Sequence, residues 1–172
     1  MTESVRRVVT GQTAEGTSVF ASDTEIQPTD HGGRQLYPVW GTDEIPVRLP
    51  TDGSVDYAAT RFPPPHGARV LIVTYPASDE APISTPGVAA AGGVPTDGGR
   101  YESNDPATGQ HMTNTIDVVL IIKGEIGLEQ DNGVEVVLRE GDVLVQNGAR
   151  HAWRTRGVEC RVAFFILGAE RG

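Results

Sequence analysis

The chain has 172 residues, with 38% hydrophobic and 22% charged residues, which suits one soluble domain with a core of useful size. A net charge of −9 repels nucleic acid and anionic membranes, so neither is expected as a partner, and no apolar run approaches the ~20 residues of a bilayer-spanning helix. A single cysteine, Cys160, excludes an intrachain disulfide and fits a reducing compartment. The N-terminal "MTESVRRVVTGQ" lacks the apolar centre of a signal peptide, so the expected location is cytoplasmic.

With 21 glycines and 12 prolines, the chain favours turns and short strands over long helices. "SVRRVVT" and "TSVFASD" flank "GQTAEG" and read as a hairpin with a longer loop. "QLYPVWGTD" and "IPVRLP" carry prolines and read as edge strands or extended connections. "ARVLIVTYP" is a stronger strand, with Val70, Ile72 and Thr74 on one face and Leu71, Val73 and Tyr75 on the other. Residues 1–75 are therefore expected as N-terminal strands that extend a barrel or a dimer interface.

Residues 76–110 are rich in Pro, Gly, Ala and Ser and hold no sustained period. Such a segment reads as a long loop, either a linker or a lid over a site. "PGVAAAGG" within it could form a short helical turn. Residues 111–172 are regular again and, with the other segments, belong to one structural domain. "TIDVVLIIKGEIGLEQ" pairs with "VEVVLRE" across Asn132-Gly133, a strong hairpin signal. "GDVLVQ", the turn "NGAR", "HAWRT" and "VECRVAFFILGA" complete the pattern. Short strands at close spacing indicate an all-β sandwich or barrel.

"HMTNTID" places His111, Thr113, Thr115 and Asp117 at alternate positions, so in an extended strand they share a face. A buried polar row needs a metal, a ligand or one another as partners. Beyond Asp117, Val119 and Ile121 are apolar on one face and Val118, Leu120 and Ile122 on the other. Two dry faces call for an outer cover, and a homodimer is the expected one, with the N-terminal strands supplying part.

The second half resembles the cupin family over about residues 105–168. His111-Met112-Thr113, three residues, Asp117, six residues and Gly124 follow the spacing of the first cupin motif. Thr113 stands at its second histidine, Asp117 at its glutamate, and the leading glycine is missing. "GDVLVQNGARH" follows the second motif through Gly141, Gly148 and His151, with Gln146 for its proline and Thr155 for its asparagine. "REGDVLVQNGARHAW" is very like a stretch of many small bacterial cupins. The resemblance implies a cupin-type jelly-roll β-barrel with extra N-terminal strands. It also implies a divalent metal ion (Fe, Mn, Zn or Ni) on His111, Asp117 and His151, and a small organic substrate.

On that basis an oxygenase or decarboxylase is one expectation. A redox-neutral isomerase, cyclase or lyase is another, and a non-catalytic small-molecule-binding barrel a third. In a metal-free barrel, Asp117 would hydrogen-bond His151, or Thr113 and Thr115 would satisfy the carboxylate. Trp153 shares a face with His151 and would wall a flat or apolar substrate; Thr113, Thr115 and Gln146 are further candidate substrate contacts. Arg154 and Arg156 turn outward by alternation. His31, His66, Glu102 and Asp105 read as loop residues without a site role, and Cys160 as a small buried hydrophobe. No phosphate loop, Cys-x-x-Cys pair or Gly-x-Ser-x-Gly elbow is present.

Overall fold

A computed structural model describes residues 4–55, 62–78, 101–105 and 107–172. Its thirteen strands are β1 (Val5–Gln12), β2 (Ser18–Ile26), β3 (Thr29–His31), β4 (Arg34–Thr42), β5 (Ala68–Tyr75), β6 (Tyr101–Asp105), β7 (Gln110–Thr113), β8 (Thr115–Lys123), β9 (Glu125–Gln130), β10 (Glu135–Arg139), β11 (Val143–Asn147), β12 (His151–Arg154) and β13 (Cys160–Gly168). The described residues hold no helix. The fold is an all-β jelly roll: a five-stranded sheet in the order β10-β9-β12-β7-β6 and a six-stranded sheet in the order β11-β8-β13-β5-β4-β3. The hairpin β1–β2 forms a separate two-stranded sheet, tied to β4 where Arg7 Nη1 donates to the Val39 carbonyl at 3.1 Å.

Alternation decides what lies between the two large sheets. On β5 the buried set is Arg69, Leu71, Val73 and Tyr75; on β8 it is Thr115, Asp117, Val119 and Ile121. Cys160, Val162, Phe164 and Ile166 face inward from β13, and Ile126, Leu128, Leu138 and Trp153 come from the facing sheet. Full burial of such a side chain contributes about 1.5–3 kcal/mol. Cys160 is one more apolar filler, its thiol pushed up to about 11 by burial. Arg69 is fully buried at the sandwich end. It survives there because it pairs with Asp43 and donates from Nη1 to the carbonyls of Thr42 (2.7 Å) and Ala68 (2.9 Å).

Two sequence readings change in the structure, and one open choice closes. "TIDVVLIIKGEIGLEQ" is two strands in different sheets, because Gly124 adopts a left-handed φ of 77°. A Cβ there would stand 2.1 Å from the Glu159 carbonyl oxygen, so the chain turns from β8 to β9 where only glycine fits. β10 then pairs with β9 alone across Asn132-Gly133, with Val134 N donating to Asn132 Oδ1 at 3.1 Å. "IPVRLP" forms no strand and is a connection. The end of the 76–110 segment is ordered as strand: β6 pairs with β7 across a turn that Asp105 closes by accepting from Ala107 N (2.9 Å) and Thr108 Oγ1 (2.7 Å). The expected lid otherwise falls largely on 79–100, outside the described residues, as does the helical turn at "PGVAAAGG".

Candidate functional site

The polar row of "HMTNTID" does not lie on one strand. The chain crosses from the five-stranded to the six-stranded sheet at Asn114, so His111 sits on β7 in one wall and Asp117 on β8 in the other. His111 is directly opposite His151 in the β7–β12 pairing, and their ring centroids are 4.3 Å apart at an interplanar angle of 52°. Asp117 is opposite Gln146 on one side and Ile166 on the other.

His111, His151, Asp117 and Ile166 open onto one cavity of about 80 Å³, enough for several waters or a small ligand group. Leu36, Phe62, Leu71, Val73, Tyr75, Trp153, Phe164 and Ile166 make its apolar wall, and His31, Arg34, His111, Thr113, Asp117 and His151 its polar groups. Trp153 is fixed by edge-on packing against Phe164 (5.7 Å, 89°) and His151 (5.8 Å, 88°).

Each imidazole is aimed by a backbone carbonyl. His111 Nδ1 donates to Gly109 O at 3.1 Å, which leaves the lone pair on Nε2. His151 Nδ1 lies 2.9 Å from Ala149 O and 2.6 Å from the amide of Gln146, which itself donates to Ala149 O. Gln146 therefore holds His151 in place from behind the cavity wall, rather than contacting what the cavity contains. Thr115 is also behind the wall. Its hydroxyl pairs with Thr113 Oγ1 at 2.8 Å and hydrogen-bonds the Asp117 carboxylate.

Burial sets the protonation states. Desolvation, then the neighbouring His151 imidazole, lowers His111 to about 3, and the charge of Arg34 pushes the same way. Desolvation also lowers His151, so both rings are neutral at physiological pH. Desolvation raises Asp117 to about 6 against the Thr115 hydrogen bond. Its Oδ1 is buried without a hydrogen-bond partner.

The metal expected on His111, Asp117 and His151 can be tested against these donors. The two histidines meet. Asp117 comes from the opposite sheet, on a side chain one methylene shorter than glutamate, and is engaged by Thr115. Thr113, at the family's second histidine, spends its hydroxyl on Thr115. Among the described residues no three His, Cys, Asp or Glu side chains gather to hold an ion. The donors present thus do not fit a three-ligand site for Fe, Mn, Zn or Ni.

Two cavity residues were not legible as such. His31 and Arg34 face each other at the end of the β3–β4 hairpin, and both line the cavity. The Gly32-Gly33 turn between them is a hairpin signal that could have paired them. Nothing local showed which barrel end the hairpin would reach. His66 and Asp105 lie outside the cavity lining; Arg154 pairs with Glu129 (2.7 Å) and Arg156 with Glu135 (2.6 Å) on the outer surface.

No family model matches the chain. It is 35% identical over 153 residues to phomopsin biosynthesis cluster protein C' of Diaporthe leptostromiformis, spanning 83% of this chain and 77% of that protein. It is 26% identical over 159 residues to the cupin-domain-containing oxidoreductase srdD of Neurospora crassa, spanning 86% of this chain and 64% of that protein. The cupin domain of Schizosaccharomyces pombe Cnp3 is a distant likeness, at 7% identity and a TM-score of 0.45 over 95% of this chain and 87% of that one. These relatives are fungal, so the likeness to small bacterial cupins widens to the superfamily. By its 35% identity across most of both chains, this chain belongs to the family of phomopsin biosynthesis cluster protein C', and it is similar at lower identity to cupin-domain-containing oxidoreductases.

Proposed function

We propose that this protein is a cupin enzyme of secondary metabolism acting on a small, largely apolar organic molecule bound between the two sheets. One observation carries the reading: a neutral imidazole pair and an unpartnered, buried carboxylate oxygen open onto the same apolar-walled cavity. Relatives named for biosynthesis clusters and as oxidoreductases support it. His111 Nε2, kept neutral, can accept a hydrogen bond from an O–H or N–H of the substrate. Asp117, poised at about 6, can give or take a proton near neutral pH. Trp153 and Phe164 hold the body of the molecule and exclude water.

The test is an untargeted mass-spectrometric comparison of a small-molecule extract incubated with wild type and with His151→Ala. A product formed by wild type alone supports an enzyme; identical profiles contradict it. Dioxygen uptake with that product selects the oxidoreductase reading over an isomerase, cyclase or lyase. Elemental analysis of protein purified without chelators reads whether an ion accompanies the two imidazoles.

We further propose that the protein works in the cytoplasm as a homodimer. Support for the dimer is the outer face of the six-stranded sheet, where Val118, Leu120, Val143, Val145, Phe165 and Leu167 are between 36% and 60% exposed. The described residues contain no helix long and apolar enough to cross a membrane.

A further inference from the structure

Two chain segments cross from one wall of the cavity to the other, side by side. β7 leaves the five-stranded sheet and enters β8 of the six-stranded sheet through Asn114, joining His111 to Asp117. β11 returns from the six-stranded sheet to β12 of the five-stranded sheet through residues 148–150, joining Gln146 to His151. The two crossings lie against one another. A Cβ added to Gly148, whose φ is 62°, would stand 3.5 Å from the carbonyl oxygens of both Thr113 and Thr115.

Backbone carbonyls that leave a ladder at such crossings need donors from elsewhere. Arg171 supplies them. Its Nη2 donates to the Gly148 carbonyl at 2.7 Å and to the Thr113 carbonyl at 3.2 Å, and its Nε donates to Asn114 Oδ1 at 2.6 Å. The Ala169 amide donates to the Asn114 carbonyl at 3.0 Å, which seats the same segment on the crossing. One planar group thus bonds both crossings, a task suited to the fixed fork of a guanidinium. The side chain is exposed, so its removal costs little global stability; what it holds is the local spacing.

From this arrangement, and resting on the reading of the cavity as a substrate site, we infer that Arg171 is a positioning residue for that site. By bonding both crossings at once, it sets the His111 and His151 wall against the Asp117 wall. Arg171 lies outside the cavity lining and acts through the chain. Thr113 is two residues from His111, Asn114 three residues from Asp117, and Gly148 three residues from His151. A small change at the clasp therefore reaches all three polar side chains over a few bonds.

The experiment is nitrogen-15 magnetic resonance of the full chain, wild type against Arg171→Ala, with both the histidine rings and amide hydrogen exchange recorded. Arg171→Ala should shift the ring signals of both His111 and His151. It should also speed exchange at residues 113–116 and 147–151 by at least about 10-fold. Amides of β10, which pairs with β9 at the far edge of the five-stranded sheet, should keep their rates. Arg171→Lys, with a single donor nitrogen, should recover part of both changes. Unmoved rings and unmoved exchange in Arg171→Ala overturn the inference. Exchange that speeds equally in every strand overturns it too, since that is a general loss of stability. Complete recovery by Arg171→Lys overturns the role of the guanidinium fork. None of these signals needs turnover. A wild type that forms no product from any extract removes the substrate reading, and the rings then still decide whether Arg171 holds the walls.

Discussion

His111 and His151 are direct cross-strand neighbours on β7 and β12, with ring centroids 4.3 Å apart. Two rings this close, half-buried and buried, resist a positive charge, and both are shifted downward by desolvation. The unfolded chain has no such resistance. Protons therefore favour the unfolded state as pH falls from about 6.5 towards about 3, and stability is full above that window. Urea midpoints measured across this range should fall steadily, and His111→Gln should flatten the fall. An equally steep decline in the variant would show that the imidazole pair is not its source.

Asp117 titrates with the opposite sign. Its folded value of about 6 lies above its ordinary 3.8, so the folded state binds the proton more tightly. The contribution of this group is fully present below the ordinary value and is lost as pH rises through about 6. Asp117→Asn removes the buried charge and keeps an acceptor for Thr115. The variant should gain about 1 kcal/mol over wild type at about pH 8, and at most about 3 kcal/mol, with no gain at about pH 4. Chemical denaturation at the two pH values reads the difference; a gain of the same size at both would assign it to packing.

Trp153 joins the cavity wall to the core through Phe164 and Tyr75, the latter with a centroid distance of 6.3 Å. Trp153→Ala should cost about 3–5 kcal/mol by emptying that volume, whereas Trp153→Phe keeps most of the contact. Guanidinium unfolding of both variants checks the order. Equal losses would mean that the indole rim, rather than its bulk, carries the packing.

The exposed valines and Phe165 on the outer sheet face predict the behaviour of a surface variant. Val118 and Phe165 are cross-strand partners there, at 37% and 45% exposure. Phe165→Glu should convert the proposed homodimer into a folded monomer by light scattering after size exclusion. A wild type that is itself monomeric, or a variant that still dimerises, would place the interface elsewhere.

Much of the fold was legible because alternation carries it. Leu71, Val73 and Tyr75 on β5, and Cys160 with Val162 and Phe164 on β13, face the core as their period indicates. The break at Gly124 was hidden, since an unbroken run of β-formers flanks it and the clash with Glu159 is a long-range contact. At the site, the spacing from His111 to His151 led to a pair that does meet. The same spacing said nothing of the sheet change at Asn114, which sets Asp117 across the cavity. Arg34 lies 77 positions before His111 in the chain and reaches it only through the β4–β5–β13–β8 sheet packed over the other. No local pattern encodes such a meeting.

The most direct measurement is the nitrogen-15 spectrum of the histidine side chains, recorded as pH is lowered from about 8 to about 4. The account predicts that His111 is still neutral at about pH 5 and that His151 gains its proton below the ordinary imidazole value. Rings that both protonate near their ordinary value of 6.5 would contradict it.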